Sequence, residues 1–535
     1  MISVNNGLTS RSVLFSLITI LVALQACGGG GGGGDSEPAD VDMGVFSADK
    51  DVDGQVELYQ FSSDGASPTK LSGVLPISGN ISTYLISPDG LRIAYLADQD
   101  IDGQVELYVA ALDGSGIDKI NPQMVANGDV HEYSWSPDGS QIAYTADAEL
   151  EGVTEVYLAS AGGSNHRKIN ALIGSPSSVI FKNIQWSPDG RYIAQMVYGL
   201  SENVFIGINI YDTHNSGSVR ITPSLVAGGS ILSYAWSPDS SRIAYRADQD
   251  IGGVDELYTV RPDGGDNAKI NGVLGLYRDV FSYAWSPDSS RIAYMADQDN
   301  TRVLELYTVR PDGGDNTKVS GVLVAGGGIR DYAWSPDSSR IAYTADQEID
   351  DEFELYTVRP DGRDNTNVNG ALVTGGGVRD FAWSSDSSYI AYIATQDTPD
   401  ATALYTVLPD GHYNTKVSGE LVIGRWGWGF AWSADSNRIV YRAAQDTSGV
   451  VELYTVRPDG RDNTKVNGAL VTGGWVLHFA WSSDSRRIVY LAIQDTAGVY
   501  ELYTARPDGS DNNKVSGILV SGGSVNNFVL APSSK

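Results

Sequence analysis

The chain has 535 residues, with 66 acidic against 36 basic side chains and a formal charge of −30. Such a balance excludes nucleic acid as a partner, because neutralising phosphates takes a basic surface. The single cysteine excludes an intramolecular disulfide, and 61 glycines, 29 tyrosines and 11 tryptophans point to turns and pleated sheets.

At the N-terminus, Arg11 is the only cationic side chain ahead of an apolar run from Val13 to Leu24. The run is too short to span a bilayer and reads as the core of a signal peptide, residues 1–26. It ends in Leu24-Gln25-Ala26-Cys27, which resembles the lipobox of bacterial lipoproteins. That resemblance implies cleavage before Cys27, acylation of Cys27 and attachment to a membrane through the lipid. Residues 27–41 begin with seven glycines, Gly28 to Gly34, and read as a flexible tether reaching roughly 20 Å. By analogy with Gram-negative lipoproteins, glycine after the cysteine favours the outer membrane, with the periplasmic face and the cell surface both open.

Residues 42–535 are repetitive. Trp135, Trp186, Trp236, Trp285, Trp334, Trp383, Trp432 and Trp481 recur at a period that settles to 49 residues, the mark of a propeller or solenoid. The unit Ile329–Val373 shows what each copy builds. Arg330, Tyr332 and Trp334 alternate along a first strand, and Ser335-Pro336-Asp337-Ser338 makes a turn. Arg340 to Ala345 form a second strand and Glu354 to Val358 a third. After Pro360-Asp361-Gly362 a weaker fourth strand is expected around Asn367 to Val373. Four short strands joined by hairpins make one propeller blade, so the fold class is all-β, a β-propeller.

The ends of the chain complement each other. The copy at Val45 to Leu75 lacks a first strand, and the copy at Asn526 to Pro532 supplies nothing else. Together they complete one blade, giving nine continuous blades and one shared blade, ten in all, with no open sheet edge. Two smaller rings are the alternative.

The pattern of a Trp-Ser-Pro-Asp turn, Arg-Ile-Ala-Tyr and Glu-Leu-Tyr-Thr-Val-Arg-Pro-Asp-Gly resembles the TolB-type (WD40-like) propeller repeat, over residues from about 45 to 532. The resemblance implies the fold and not the activity, because propellers host unrelated functions. Related propellers precede an α/β-hydrolase domain in prolyl oligopeptidase-type enzymes. Here the repeats run almost to Lys535, and no Gly-x-Ser-x-Gly elbow is present. His131, His166, His214, His412 and His478 are scattered without metal-ligand spacing.

Two features carry candidate chemistry. The loops Asp49-Lys50-Asp51-Val52-Asp53-Gly54-Gln55-Val56-Glu57 and Asp98-Gln99-Asp100-Ile101-Asp102-Gly103-Gln104-Val105-Glu106 alternate carboxylates around a glycine. They resemble the short calcium loops of some propellers, which makes Asp49, Asp51, Asp53, Glu57, Asp98, Asp100, Asp102 and Glu106 candidate calcium ligands. Polar hairpins with aspartates capping their turns are the alternative. Separately, Trp426, Trp428 and Trp475 lie in glycine-rich loops leading into first strands, with Trp426 and Trp475 in the same repeat phase. Indoles on the rim suit a sugar or peptide, and Arg330 and Arg379 share a phase nearby. The copy at Ile193 to Val226 departs most from the others.

These readings favour a non-catalytic binding or scaffold lipoprotein of the cell envelope that recognises a protein, peptide or glycan on the rim or channel. The competing reading is an enzyme, a glycan lyase or hydrolase with its site at the channel mouth.

Overall fold

The computed structural model describes residues 43–170, 179–199, 204–214, 217–275, 277–399, 401–419, 429–447 and 449–532. Among these, the only regular structure is strand: forty strands form ten four-stranded antiparallel sheets. Numbering blades from the sheet that opens at Ile81–Ile86, each blade repeats the plan of blade 6. Its strands are Ile329–Trp334, Ile341–Ala345, Glu354–Val358 and Thr366–Asn367. The fourth strand is shorter than expected from sequence. Only Thr366 and Asn367 pair with the third strand, after which Val368 turns inward to the core.

Blade 10 is built from both ends of the chain. Its Val525–Leu530 strand pairs antiparallel with Met43–Ala48, which continues into Glu57–Ser62 and Thr69–Lys70. This closes the ring and removes the edge that an incomplete sheet would expose.

The core shows that the ring is single. Among the described residues there are ten clusters of buried apolar side chains, each spanning two consecutive blades. One joins blade 9 to blade 10 through Val489, Leu502, Phe46 and Phe528, and another joins blade 10 to blade 1 through Val45, Leu58, Ile93 and Tyr95. Two smaller rings would break this succession at two places, so that alternative is overturned.

The period-two alternation of the second strand produces the sandwich. In blade 6, Ile341, Tyr343 and Ala345 face blade 5, while Ala342 faces blade 7. Both faces are covered, so the whole strand is buried.

Directional bonds then fix the spacing of the blades. The indole Nε1 of Trp334 donates to the Ala284 carbonyl of blade 5 at 3.2 Å, and Trp135, Trp186, Trp285, Trp383, Trp432 and Trp481 do the same. Ser338 sits at a φ of 62°, a region that favours glycine, yet its hydroxyl accepts the Asp288 N–H of blade 5 at 3.0 Å. Equivalent serines from Ser240 to Ser485 link blades 3 to 9, where blades 1 to 3 carry Gly90, Gly139 and Gly190. Replacing glycine by serine thus exchanges backbone ease for a bond to the neighbour.

First strands of neighbouring blades approach one another, as at blades 2 and 3, 7 and 8, and 10 and 1. The first strand is therefore innermost and lines the channel. The two- or three-residue fourth strands form the outer edge.

Candidate binding site

The inner strand carries a β-bulge at one repeated place. In blade 6, Ile329 pairs with Ala345 and Asp331 with Thr344, leaving Arg330 as the extra residue. The same shift recurs in blades 1, 2, 4, 5, 7, 9 and 10. A bulge bends its strand and re-aims side chains, which is why bulges gather at barrel rims and active sites.

What the bulge presents differs from blade to blade, although its surroundings do not. Before it stands Ile or Val, and two positions after it an aromatic residue, in every one of these eight blades. At the bulge, blades 4 and 5 carry Leu232 and Phe281, both exposed, and blades 6 and 7 carry Arg330 and Arg379. Across the ring, blades 10 and 1 carry Asn526 and Ser82. One arc of the channel is thus apolar and cationic, and the opposite arc is neutral and polar.

Among the described residues, no ion pair joins Arg330 or Arg379 to an acid, whereas the arginines of the outer turns pair with aspartates, as Arg359 does with Asp364 at 2.7 Å. Arg330 instead lies over the Phe353 ring at 5.7 Å. The next residues along the strand, Asp331 and Asp380, have carboxyls held above the usual range. Their surfaces are exposed to the channel, but crowding by the surrounding inner strands disfavours the charged form and raises both, and Asp331 adds repulsion to Asp380.

Two second-strand arginines brace the bulges. Arg246 donates to the carbonyls of Val280 and Phe281, and Arg442 to that of Leu477. Beside Arg442, His478 is shifted down, by burial first and by the guanidinium second.

The rim aromatics divide. Trp475 is exposed and stands edge-on to the Tyr500 ring, with centroids 6.2 Å apart. Trp426 and Trp428 lie outside the described residues, as does Cys27.

The acidic loops are spent on separate bonds. The Asp98 carboxylate accepts the N–H of Asn80 at 2.7 Å and of Gly103 at 3.3 Å, so it ties its hairpin to the loop leading into the same blade. Asp49 does this with Ser524 and Gly54. Asp100 pairs with Lys119 at 3.1 Å, Asp102 accepts the Ser78 hydroxyl at 2.7 Å, and Asp51 lies 3.8 Å from Lys50. Glu57 and Glu106 are buried in their blades, holding Tyr59 and Lys70, and Tyr108 and Lys119. Among the described residues, no group of three or more acidic, histidine or cysteine side chains is placed to hold a metal. Asp53 belongs to no such group either.

The sequence singles out Arg330 and Arg379 as candidates, and the structure adds Leu232, Phe281, Asp331 and Asp380 beside them. Aligning the copies on tryptophan carries the signal, because variation concentrates four and three residues before it.

A closed ring of four-stranded sheets, with its first strands inside, defines a β-propeller. Residues 67–279 match the family model of the TolB β-propeller domain, and the repeat continues in phase on both sides of that segment. Over that segment the chain is similar to the TolB-type propeller repeat. No curated protein matches it.

Among solved structures, the chain is similar to dipeptidyl peptidase 4 of Porphyromonas gingivalis at 12% identity and a TM-score of 0.48, over 72% of this chain and 61% of that one. It thus spans 61% of the length of that peptidase. It is similar to a eukaryotic initiation factor at 12% identity and a TM-score of 0.49, over 92% and 98% of the two chains. A third likeness is to an oligogalacturonate lyase from Vibrio parahaemolyticus, at 14% identity and a TM-score of 0.35, over 71% and 98%.

Proposed function

We propose that this protein is a non-catalytic recognition module of the cell envelope, anchored through lipid on Cys27 and binding a protein, peptide or glycan at the channel mouth. The observation that carries the reading is the bulge. Eight blades keep their packing residues nearly constant while the bulged inner position runs through Leu, Phe, Arg, Asn, Ser and His. Variation at these channel-facing residues fits a surface that reads one shaped partner, with each blade supplying a different contact.

The test is binding of the full chain to a glycan array and a random-peptide array, repeated with Leu232→Ser, Phe281→Ser, Arg330→Ser and Arg379→Ser combined. Saturable binding that the combined variant loses, at an unchanged melting temperature, supports the reading. Binding that the variant retains places the site elsewhere, and cleavage of any probe overturns the non-catalytic assignment. For the anchor, Cys27→Ser is expected to abolish incorporation of labelled fatty acid and release the protein from membranes. Retention of both would reject it.

A further inference from the structure

Blade 3 departs from the other blades at four positions that touch one another elsewhere. In the other nine, an aromatic residue of the second strand stacks on a tyrosine of the third, as Tyr294 does on Tyr307 at 5.2 Å. In blade 3 these places are taken by Gln195 and Asn209, directly opposite in register. The glutamate that holds lysine in seven blades is here Gly207, and the lysine is Arg220. The guanidinium of Arg220 lies where a side chain at 207 would stand and donates to the Ile206 carbonyl.

The amides are deep in the blade: Gln195 is 0% and Asn209 1% exposed. Gln195 Nε2 and both Nδ2 and Oδ1 of Asn209 make no hydrogen bond of ordinary geometry within the protein, with only the Tyr211 hydroxyl beside Asn209, although a buried amide group without a hydrogen bond is rare in a folded protein. Tyr211 reaches Gln195 Oε1 only at 3.5 Å. Opposed residues of an antiparallel pair have Cβ atoms about 4.5–5.5 Å apart, close enough for one small molecule to bridge two amides.

We infer that blade 3 contains an internal hydration site, in which ordered water bridges Gln195 and Asn209 in place of the stacked rings. Exchanging two aromatic side chains for two shorter amides supplies both the room and the polar partners that a buried water requires. Its partners are Gln195 Nε2 as donor, Asn209 Oδ1 as acceptor and Asn209 Nδ2 as a second donor. An apolar guest has no place among these groups.

A high-resolution crystal structure of the full chain tests this. The expected result is a well-ordered water within hydrogen-bond distance of both amides. Direct bonding of Gln195 to Asn209 with no solvent peak between them would overturn the inference. So would a peak surrounded by oxygens at about 2.3–2.6 Å, the spacing of a calcium ion. Gln195→Met keeps the shape of the side chain and removes the donor, so the peak is expected to vanish. The double variant Gln195→Tyr/Asn209→Tyr is expected to expel the water and raise the melting temperature. Persistence of the peak in either variant would refute the assignment.

Discussion

Blades 3 and 5 occupy equivalent positions in one ring and hold themselves together differently. Blade 5 has stacked Tyr294 and Tyr307, the Tyr307 hydroxyl donating to Glu305 at 2.8 Å, and Lys318 closing on the same glutamate. Blade 3 has none of these, yet its second and third strands are longer, Tyr192–Gly199 and Val204–Asp212, and pair over most of their length with one register shift at Ile206. Blade geometry is therefore carried by the ladder and the inter-blade apolar clusters. The ring-and-ion-pair module adds stability locally and can be exchanged without losing the fold.

That comparison breaks if the module turns out to be idle. Moving blade 3 chemistry into blade 5 by Tyr294→Gln, Tyr307→Asn and Glu305→Gly removes two buried rings and a buried carboxylate. Each large-to-small change of an aromatic core residue costs about 3–5 kcal/mol, and neighbours do not add fully. The expected loss is about 5 kcal/mol or more, read by denaturant unfolding. A loss below about 1 kcal/mol would show that blade 5 is held together as blade 3 is.

Serine and glycine at the turn after the first strand sharpen the contrast on a smaller scale. Ser338→Ala keeps the unfavourable φ and loses the bond to Asp288, so it is expected to cost about 1 kcal/mol. Ser338→Gly loses the same bond but relieves the strain, and the two effects nearly cancel. Thermal melts should rank glycine above alanine. The opposite order would mean that the turn is not strained.

The sequence makes most of this architecture visible, because the framework repeats. The 49-residue period gives the blades, Ser335-Pro336-Asp337-Ser338 gives the turn, and the complementary ends give closure. The candidate site was harder to read. A bulge has no residue signature of its own here: Arg330 and Asp331 read as ordinary strand alternation until the register shift is seen. The aspartate loops are ambiguous for a physical reason as well. Carboxylates around a glycine suit a cation and a capped hairpin equally, and only the fold shows that the Asn80 and Gly103 N–H groups reach Asp98.

Blade 6 holds two aspartates whose carboxyls move in opposite directions. Asp337 lies below the usual range: burial opposes this, but the Ser335 hydroxyl, the Ser339 N–H and other serine hydroxyls outweigh it. Asp331 lies above it, raised by crowding among the inner strands. For Asp337, the unfolded chain takes up protons first, so its stabilisation is present above the unfolded pKa and fades as pH falls through the folded one. For Asp331 and Asp380 the folded state holds more protons in the window just above the unfolded pKa. Their contribution therefore becomes unfavourable as pH rises through it. At pH 7, Asp331→Asn/Asp380→Asn is expected to melt above the wild type and Asp337→Asn below it. Both differences should shrink toward zero in strong acid. A double variant that melts lower at pH 7 would mean that the inner carboxylates are already paired with a cation.

The smallest effect is expected from metal. Asp98 spends its oxygens on two backbone N–H groups, Asp100 on Lys119, and Glu106 on Tyr108 and Lys119. An ion would have to displace these bonds and recruit further oxygens, since calcium takes six to eight. Melting in calcium and in chelator should therefore coincide, with no saturable heat by calorimetry. A raised melting temperature that Asp102→Asn abolishes would instead show that the loop rearranges around calcium. Asp98 would then have to release its hold on Asn80, and the two hairpin loops would rank with the channel as ligand-bearing parts of the ring.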